Sequence, residues 1–335
     1  MPTGFVDLRS DTVTRPTAAM RRAMADAEVG DDGFGEDPTV RALEEAYAGR
    51  VGKAAGLFVP SGTMANQVCL RTLGTPGSVV IAGRSSHVVR YEAGAAGVNT
   101  GVQFQTVDDA DGRIDPADVD EAVAFGVLHG PSPSLVCVEN THNAAGGVPW
   151  DLEALHAVAA CGVPLHLDGA RLFNAEVATG VAAAERVRSA TTVWTALSKG
   201  LGAPVGSVLA GPAAVVAEGR VWRRRFGGQL RQAGVLAAAG LVALEGVDRL
   251  ADDHARAARL AAAVADRWPG ALDPATVRTN MVSFAHPDPD AVLRHLAAAG
   301  VLAGTVAPRN LRLVTSLEVD DAGVDRTCQA LATAP

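Results

Sequence analysis

Lysine is almost missing from this chain. Of its 29 lysines and arginines only two are lysine, Lys53 and Lys199. Basic charge is itself in deficit, since 37 acids leave a formal net charge of -8. That balance excludes nucleic acid or an anionic membrane as the natural partner. The one short basic run, Arg223 to Arg225, reads as a solvated helix end. Cysteine is also sparse. Cys69, Cys137, Cys161 and Cys328 lie far apart with no C-x-x-C pair, which argues against zinc or a disulfide framework. Reduced, buried thiols in a cytoplasmic protein are expected. The N-terminus "MPTGFVDLRSDTVTRP" has early acids and no apolar core, unlike a signal peptide. The uncharged stretch from 200 to 217 carries Gly200, Gly202, Pro204, Gly206, Gly211 and Pro212, a set foreign to a membrane-spanning helix.

What is present is alternation. From residue 56 short apolar runs ("GLFV", "SVVIA", "GVQFQTV", "SLVCVE", "VPLHL", "TTVWTAL", "GSVLAG") alternate with helical segments such as "MANQVCLRTL" and "DLEALHAVAAC". This predicts an α/β fold with a mainly parallel central sheet flanked by crossover helices. A long Ala-rich helical region is expected over roughly 229–267, ending at "WPG". The remainder reads strand, helix, strand, helix. The expected division is a large domain over 1–248, including the N-terminal segment, and a small C-terminal α+β domain over 249–335.

Lys199 stands alone in its surroundings. No other charged residue occurs between Arg188 and Glu218. Arginine stays protonated, whereas a desolvated lysine loses its proton more easily and acts as an amine nucleophile suited to Schiff-base formation. Lys53, at a probable helix end beside "GRVG", carries no such signal. A pyridoxal phosphate enzyme makes further demands. An acid against the pyridine nitrogen keeps the ring an electron sink, and Asp168 in "VPLHLDGA" directly follows an apolar run. The phosphate needs backbone N–H donors at a helix N-terminus, and Ser61-Gly62-Thr63 sits between a strand and a helix. His87 follows a strand and offers a ring to stack on a cofactor. Arg171 and Arg312 are candidate forks for a substrate carboxylate. Each of these residues alone also has a structural explanation, as a cap or a surface ion pair.

The segments "DLRSDTVTRPT", "VGDDGFGEDPTV", "FVPSGTMANQ", "VENTHNAAGG", "HLDGARLFNA", "SKGLGAPVGSVLAG" and "LRQAGVLAAAG" occur in the order seen in the low-specificity L-threonine aldolases, also called L-allo-threonine aldolases. The chain resembles that family over nearly its whole length. The resemblance implies a fold-type I, pyridoxal-phosphate-dependent transferase-like subunit of the aspartate-aminotransferase-like superfamily. It implies a homo-oligomer, usually a tetramer, with active sites shared across a dimer interface, and a small amino acid as substrate. It places the Schiff base on Lys199, the pyridine partner on Asp168, the phosphate cup on Ser61, Gly62 and Thr63, and the stacking ring on His87. Substrate-carboxylate contacts fall on Ser10, Arg171 and Arg312. A second histidine near the substrate hydroxyl falls on His129, and Arg231 matches an arginine near the phosphate. No metal is implied. His87 and His129 both stand as candidate bases for the hydroxyl proton. Phe34, Gln229 and Ser316 depart from common family residues, tyrosine, glycine and histidine respectively.

The implied reaction is retro-aldol cleavage of L-threonine or L-allo-threonine to glycine and an aldehyde. A β-eliminating lyase or an aminotransferase would share the same cofactor residues and differ in giving an α-keto acid. A nicotinamide dehydrogenase, suggested by the glycines of "GLGAPVG", is disfavoured because Pro204 and a strand-like run follow where a helix should open. A non-catalytic relative is disfavoured by the retained lysine.

Overall fold

The computed structural model describes residues 4–335. Strands form where β-branched and apolar residues run uninterrupted. They are β1 (Val6–Asp7), β2 (Ala55–Val59), β3 (Val79–Gly83), β4 (Gln103–Val107), β5 (Pro133–Glu139) and β6 (Leu165–Asp168). They continue with β7 (Thr192–Ala196), β8 (Ser207–Gly211), β9 (Met281–Ala285), β10 (Val301–Leu302), β11 (Gly304–Ala307) and β12 (Asn310–Val314). The main sheet has seven strands in the order β2-β8-β7-β6-β5-β3-β4. The pairs from β7 to β4 are parallel, while β8 runs antiparallel to both β2 and β7. β3, β7 and β8 are buried along their whole length, as expected when helices cover both faces. The fold is therefore the α/β architecture expected, with one strand reversed.

Helix starts follow local chemistry. Asp37 caps Pro38–Arg50 and Asp115 caps Pro116–Leu128, each with proline in the first turn, where its missing N–H is harmless. The Ala-rich region is not one continuous helix. Gly234–Glu245 stops at Gly246, a 3-10 turn spans Val247–Arg249, and a new helix runs Leu250–Arg267.

The second unit carries a three-stranded antiparallel sheet, β11-β12-β9, beside helices Leu250–Arg267, Pro289–Ala298 and Asp321–Ala332. Its core gathers Leu260, Val264, Val282, Phe284, Leu311 and Leu331, together with Val6 and Leu8 from the far end of the chain. β1 pairs in parallel with β10. Val6 to Leu8 thus pack with the small unit, while Met20 of the following helix Ala18–Ala25 joins the core of the large domain. The reason is that Val6 and Leu8 find apolar cover only there. All four cysteines are free, Cys69 and Cys137 buried but Cys161 and Cys328 only half-buried. Among the described residues no helix is long and apolar enough to cross a membrane.

Gly56 of β2 lies so close to helix Pro38–Arg50 that a Cβ would strike the Glu44 carbonyl. Gly56→Ala is expected to destabilise the fold by about 1–3 kcal/mol, the usual penalty of overpacking, measured by urea unfolding.

Candidate active site

Parallel sheets present ligands at the carboxyl ends of their strands, and this sheet does so with several at once. β2 ends at Val59, and Ser61 caps the next helix, Gly62–Leu73, its Oγ accepting from Met64 N at 3.2 Å. A side chain at Gly62 would run into the Trp194 ring, so glycine lets the helix N-terminus settle against β7. β3 ends at Gly83, shortly before His87. β5 and β6 end side by side, Glu139 in register with Asp168. The loop after β7 carries Lys199. Because β8 runs backwards, its first residue, Ser207, faces the same edge.

The small unit closes the other side with Arg312 of β12 and Thr305 and Val306 of β11, while the N-terminal segment adds Ser10 and Thr12. These groups enclose one cavity of about 360 Å³. Nine residues singled out from the sequence line it: Ser10, Ser61, Gly62, Thr63, His87, Asp168, Arg171, Lys199 and Arg312.

Two do not. His129 caps the C-terminus of helix Pro116–Leu128, is exposed and sets its ring edge-on to Phe125. It precedes β5, and so lies at the amino edge of the sheet. With a rise of roughly 3.3 Å per residue, the length of β5 separates it from Glu139 and the cavity. Arg231 is exposed and pairs with Asp31 at 3.3 Å. Neither reaches the cavity of its own subunit.

The loop bearing Lys199 is pinned at several points. Leu197 N donates to Gly206 O at 3.0 Å and Ala203 N to Leu197 O at 2.9 Å. The Lys199 carbonyl accepts from Gly202 N at 2.9 Å and from Thr14 Oγ1 at 2.9 Å. Arg249 donates to the Gly200 carbonyl. Burial pulls the half-buried Lys199 ammonium down to about 8; the nearby Arg171 charge adds to this, and Asp11, Asp168 and Glu139 oppose it. Burial pushes the Glu139 carboxyl up, and the adjacent Asp168 charge pushes the same way.

Arg171 is less available than its position suggests. Its Nε and Nη2 donate to the two carboxylate oxygens of Asp11, each at 2.7 Å, in a fully buried pair. Burial alone would raise the Asp11 carboxyl, but the Arg171 guanidinium holds it at about 2. Arg312 differs. Its Nη1 donates to Asn143 Oδ1 at 2.9 Å, while its buried Nε has no partner among the described residues. The Ser207 hydroxyl is likewise buried and unpartnered. Both line the cavity, and buried donors without partners mark where a polar ligand belongs.

The sequence left Tyr91, Glu139, Asn143, Trp194 and Ser207 unassigned, although each lines the cavity. Glu139 and Asn143, at and just after the end of β5, carried the strand-end signal, whereas Trp194 lies inside β7, Ser207 opens the reversed β8 and Tyr91 follows the short helix His87–Arg90. Of the departures noted, Phe34 is strongly exposed and Ser316 fully buried, and neither lines the cavity.

A desolvated amine, a carboxylate at the neighbouring strand end, a helix N-terminus with two hydroxyls and an unpaired guanidinium N–H suit a phosphorylated carbonyl cofactor and an amino-acid carboxylate. Fold and site together define a pyridoxal-phosphate-dependent enzyme of fold type I. The family described as "Beta-eliminating lyase" matches residues 7–287, and the chain belongs to it, among the low-specificity L-threonine aldolases. It is 46% identical over 286 residues to low-specificity L-threonine aldolase 1 of Arabidopsis thaliana, covering 83% of this chain and 80% of that one. It is 41% identical over 321 residues to the low specificity L-threonine aldolase of Escherichia coli K12, covering 94% and 95%. The fold matches Leishmania major threonine aldolase with a TM-score of 0.84 at 20% identity, over 97% and 98% of the chains.

A lysine amine is nucleophilic only when neutral. Capture of pyridoxal phosphate by the apoprotein should therefore accelerate roughly tenfold per pH unit up to about 8 and level off above it. Stopped-flow absorbance measures this, and Lys199→Arg should show no capture.

Proposed function

We propose that the protein cleaves L-threonine, L-allo-threonine and related β-hydroxy-α-amino acids to glycine and an aldehyde, using pyridoxal phosphate. The observation that carries this reading is the convergence of Lys199, Asp168, His87 and Arg312 on one cavity at the carboxyl edge of the sheet.

The residues divide the work by their chemistry. When bound, pyridoxal phosphate supplies an electron-withdrawing ring that accepts the electrons of a breaking bond at Cα. The N–H groups opening helix Gly62–Leu73, with Ser61 and Thr63, bind its phosphate. Asp168 holds a proton at the pyridine nitrogen, and Lys199 offers its neutral amine to the carbonyl. Arg312 Nε, with Ser10 on the same wall, would receive the substrate carboxylate and so fix the substrate's orientation at Cα. Arg171 supports that seat from behind, its fork committed to Asp11.

The hydroxyl proton needs an acceptor at the cavity wall. With His129 at the opposite sheet edge, His87 is the candidate, directly or through water. Burial opposes protonation of His87, but its hydrogen bond to Glu92 and the charges of Asp168 and Glu92 raise its basicity.

The same reading extends to assembly. Phe34 and Arg231 are exposed on adjoining turns, joined by the Asp32 N–H to the Arg231 carbonyl at 3.0 Å. An exposed aromatic beside a cavity-foreign arginine supports a homo-oligomer, a dimer or a tetramer built as a dimer of dimers, in which Arg231 serves a neighbour's phosphate. A cytoplasmic location accords with four unpaired cysteines, and the reaction would serve glycine supply or threonine breakdown.

Purified enzyme given L-threonine and L-allo-threonine separately should release acetaldehyde and glycine in equal amounts, and Lys199→Ala should release none. An α-keto acid instead would point to elimination or transamination. Arg312→Ala should raise KM at least about tenfold, as expected when a charged carboxylate partner is lost.

A further inference from the structure

Helix Gly62–Leu73 buries one polar side chain completely, Asn66, and all its hydrogen-bonding capacity is used. Its Oδ1 accepts from Trp194 Nε1 at 2.6 Å and faces His166 Nε2 at 3.0 Å. Its Nδ2 donates to Glu92 Oε1 at 2.6 Å and to Asp168 Oδ2 at 2.9 Å. The orientation of the amide is not arbitrary. Indole N–H only donates and ionised carboxylates only accept, so the oxygen must face Trp194 and the nitrogen the two acids. His166 is consequently the neutral Nε2–H tautomer, its Nδ1 taking the Thr192 hydroxyl at 2.8 Å. Burial agrees with this, pulling His166 down to about 4.

Glu92 in turn is saturated. Its Oε2 accepts from Gln67 Nε2 at 2.7 Å and its Oε1 also faces His87 Nδ1 at 3.1 Å. Asp168 Oδ1 accepts from Ala170 N at 3.1 Å. One amide thus stands between the carboxylate assigned to the pyridine nitrogen and the carboxylate that orients the imidazole assigned to the ring face.

We propose that Asn66 is the positioning residue that holds Asp168 and, through Glu92, His87 as a single unit on either side of the cofactor. The proposal rests on the reading above that these two residues flank pyridoxal phosphate. Two consequences follow from the geometry. Without the amide, two buried carboxylates would face each other unbridged, and one of them would take up a proton. A proton on Asp168 would cost the charge that keeps the pyridine nitrogen protonated, and one on Glu92 would cost the acceptor that orients His87. Within the intact network, Glu92 accepts the hydrogen bond of the His87 Nδ1–H, which leaves Nε2 as the ring atom free to accept a proton from substrate or water.

The test uses three readouts on wild type, Asn66→Ala and Glu92→Gln. They are cofactor affinity of the apoprotein from tryptophan quenching, the visible absorbance of the holoenzyme, and kcat and KM for L-threonine. Asn66→Ala should weaken cofactor affinity about tenfold, alter the visible band and lower kcat about a hundredfold with KM little changed. That is the range seen when supporting partners of a site are removed. Glu92→Gln keeps the shape but not the charge, and should lower kcat about tenfold while leaving cofactor affinity intact. Wild-type affinity, spectrum and kcat in Asn66→Ala would overturn the proposal, as would an unchanged kcat in Glu92→Gln. If Asn66→Ala fails to fold, Glu92→Gln decides alone. If wild type binds the cofactor but cleaves no threonine, the aldolase reading fails, and the affinity and spectral comparison still decides on Asn66.

Discussion

The buried pair between Asp11 and Arg171 is the joint on which the cavity depends. Asp11 belongs to the N-terminal segment, which packs with the small unit through Val6 and Leu8. Arg171 directly follows the strand end that carries Asp168. Asn280, just ahead of β9, adds a third contact to Asp11 at 3.3 Å. Three parts of the chain, remote in sequence, therefore meet at one buried carboxylate behind the cavity wall. A buried ion pair contributes little net stability over a well-packed apolar contact. Breaking one half is expensive, however, about 3–5 kcal/mol, because the other charge is stranded. Such a contact tolerates few alternatives, and that fixes where Ser10 and Arg312 lie relative to Lys199.

The same joint sets the electrostatics. Arg171 adds to the desolvation that lowers the Lys199 ammonium, while Asp11, Asp168 and Glu139 limit how far it falls. An isolated lysine in this pocket would be neutral and poorly anchored. One facing only acids would stay charged and unreactive. The mixture leaves an amine that is available near neutral pH and still attracted to its place.

Lys199 was legible in the sequence because lysine is scarce and its neighbours are uncharged. Ser61 and Asp168 were legible because apolar runs end just before them, and strand ends are where such a sheet keeps its ligands. His129 was expected from the family resemblance, not from this logic. It lies before an apolar run instead of after one, and that difference puts it at the opposite edge. Arg171 was correctly brought to the cavity, but the occupation of its fork depends on Asp11, 160 positions away. Asn66 gave no signal at all. An asparagine within a helix is commonplace, and its partners at 92, 166, 168 and 194 become neighbours only when the sheet is assembled. The packing of β1 with the small unit was hidden for the same reason, since pairing of Val6 with Val301 is a property of the closed fold.

The reversed direction of β8 has a consequence for turnover. Because β7 leaves the cavity edge and β8 returns at it, the segment carrying Lys199 is a short loop fastened at both feet, by Leu197 to Gly206 and Ala203 to Leu197. The backbone beneath the amine is also held by Thr14 and Arg249. On the proposed reading, a Lys199 amine released by substrate would have nowhere to diffuse. It would remain as a tethered competitor at high effective concentration, ready to retake its place in the same subunit. The loop thus works as a leash.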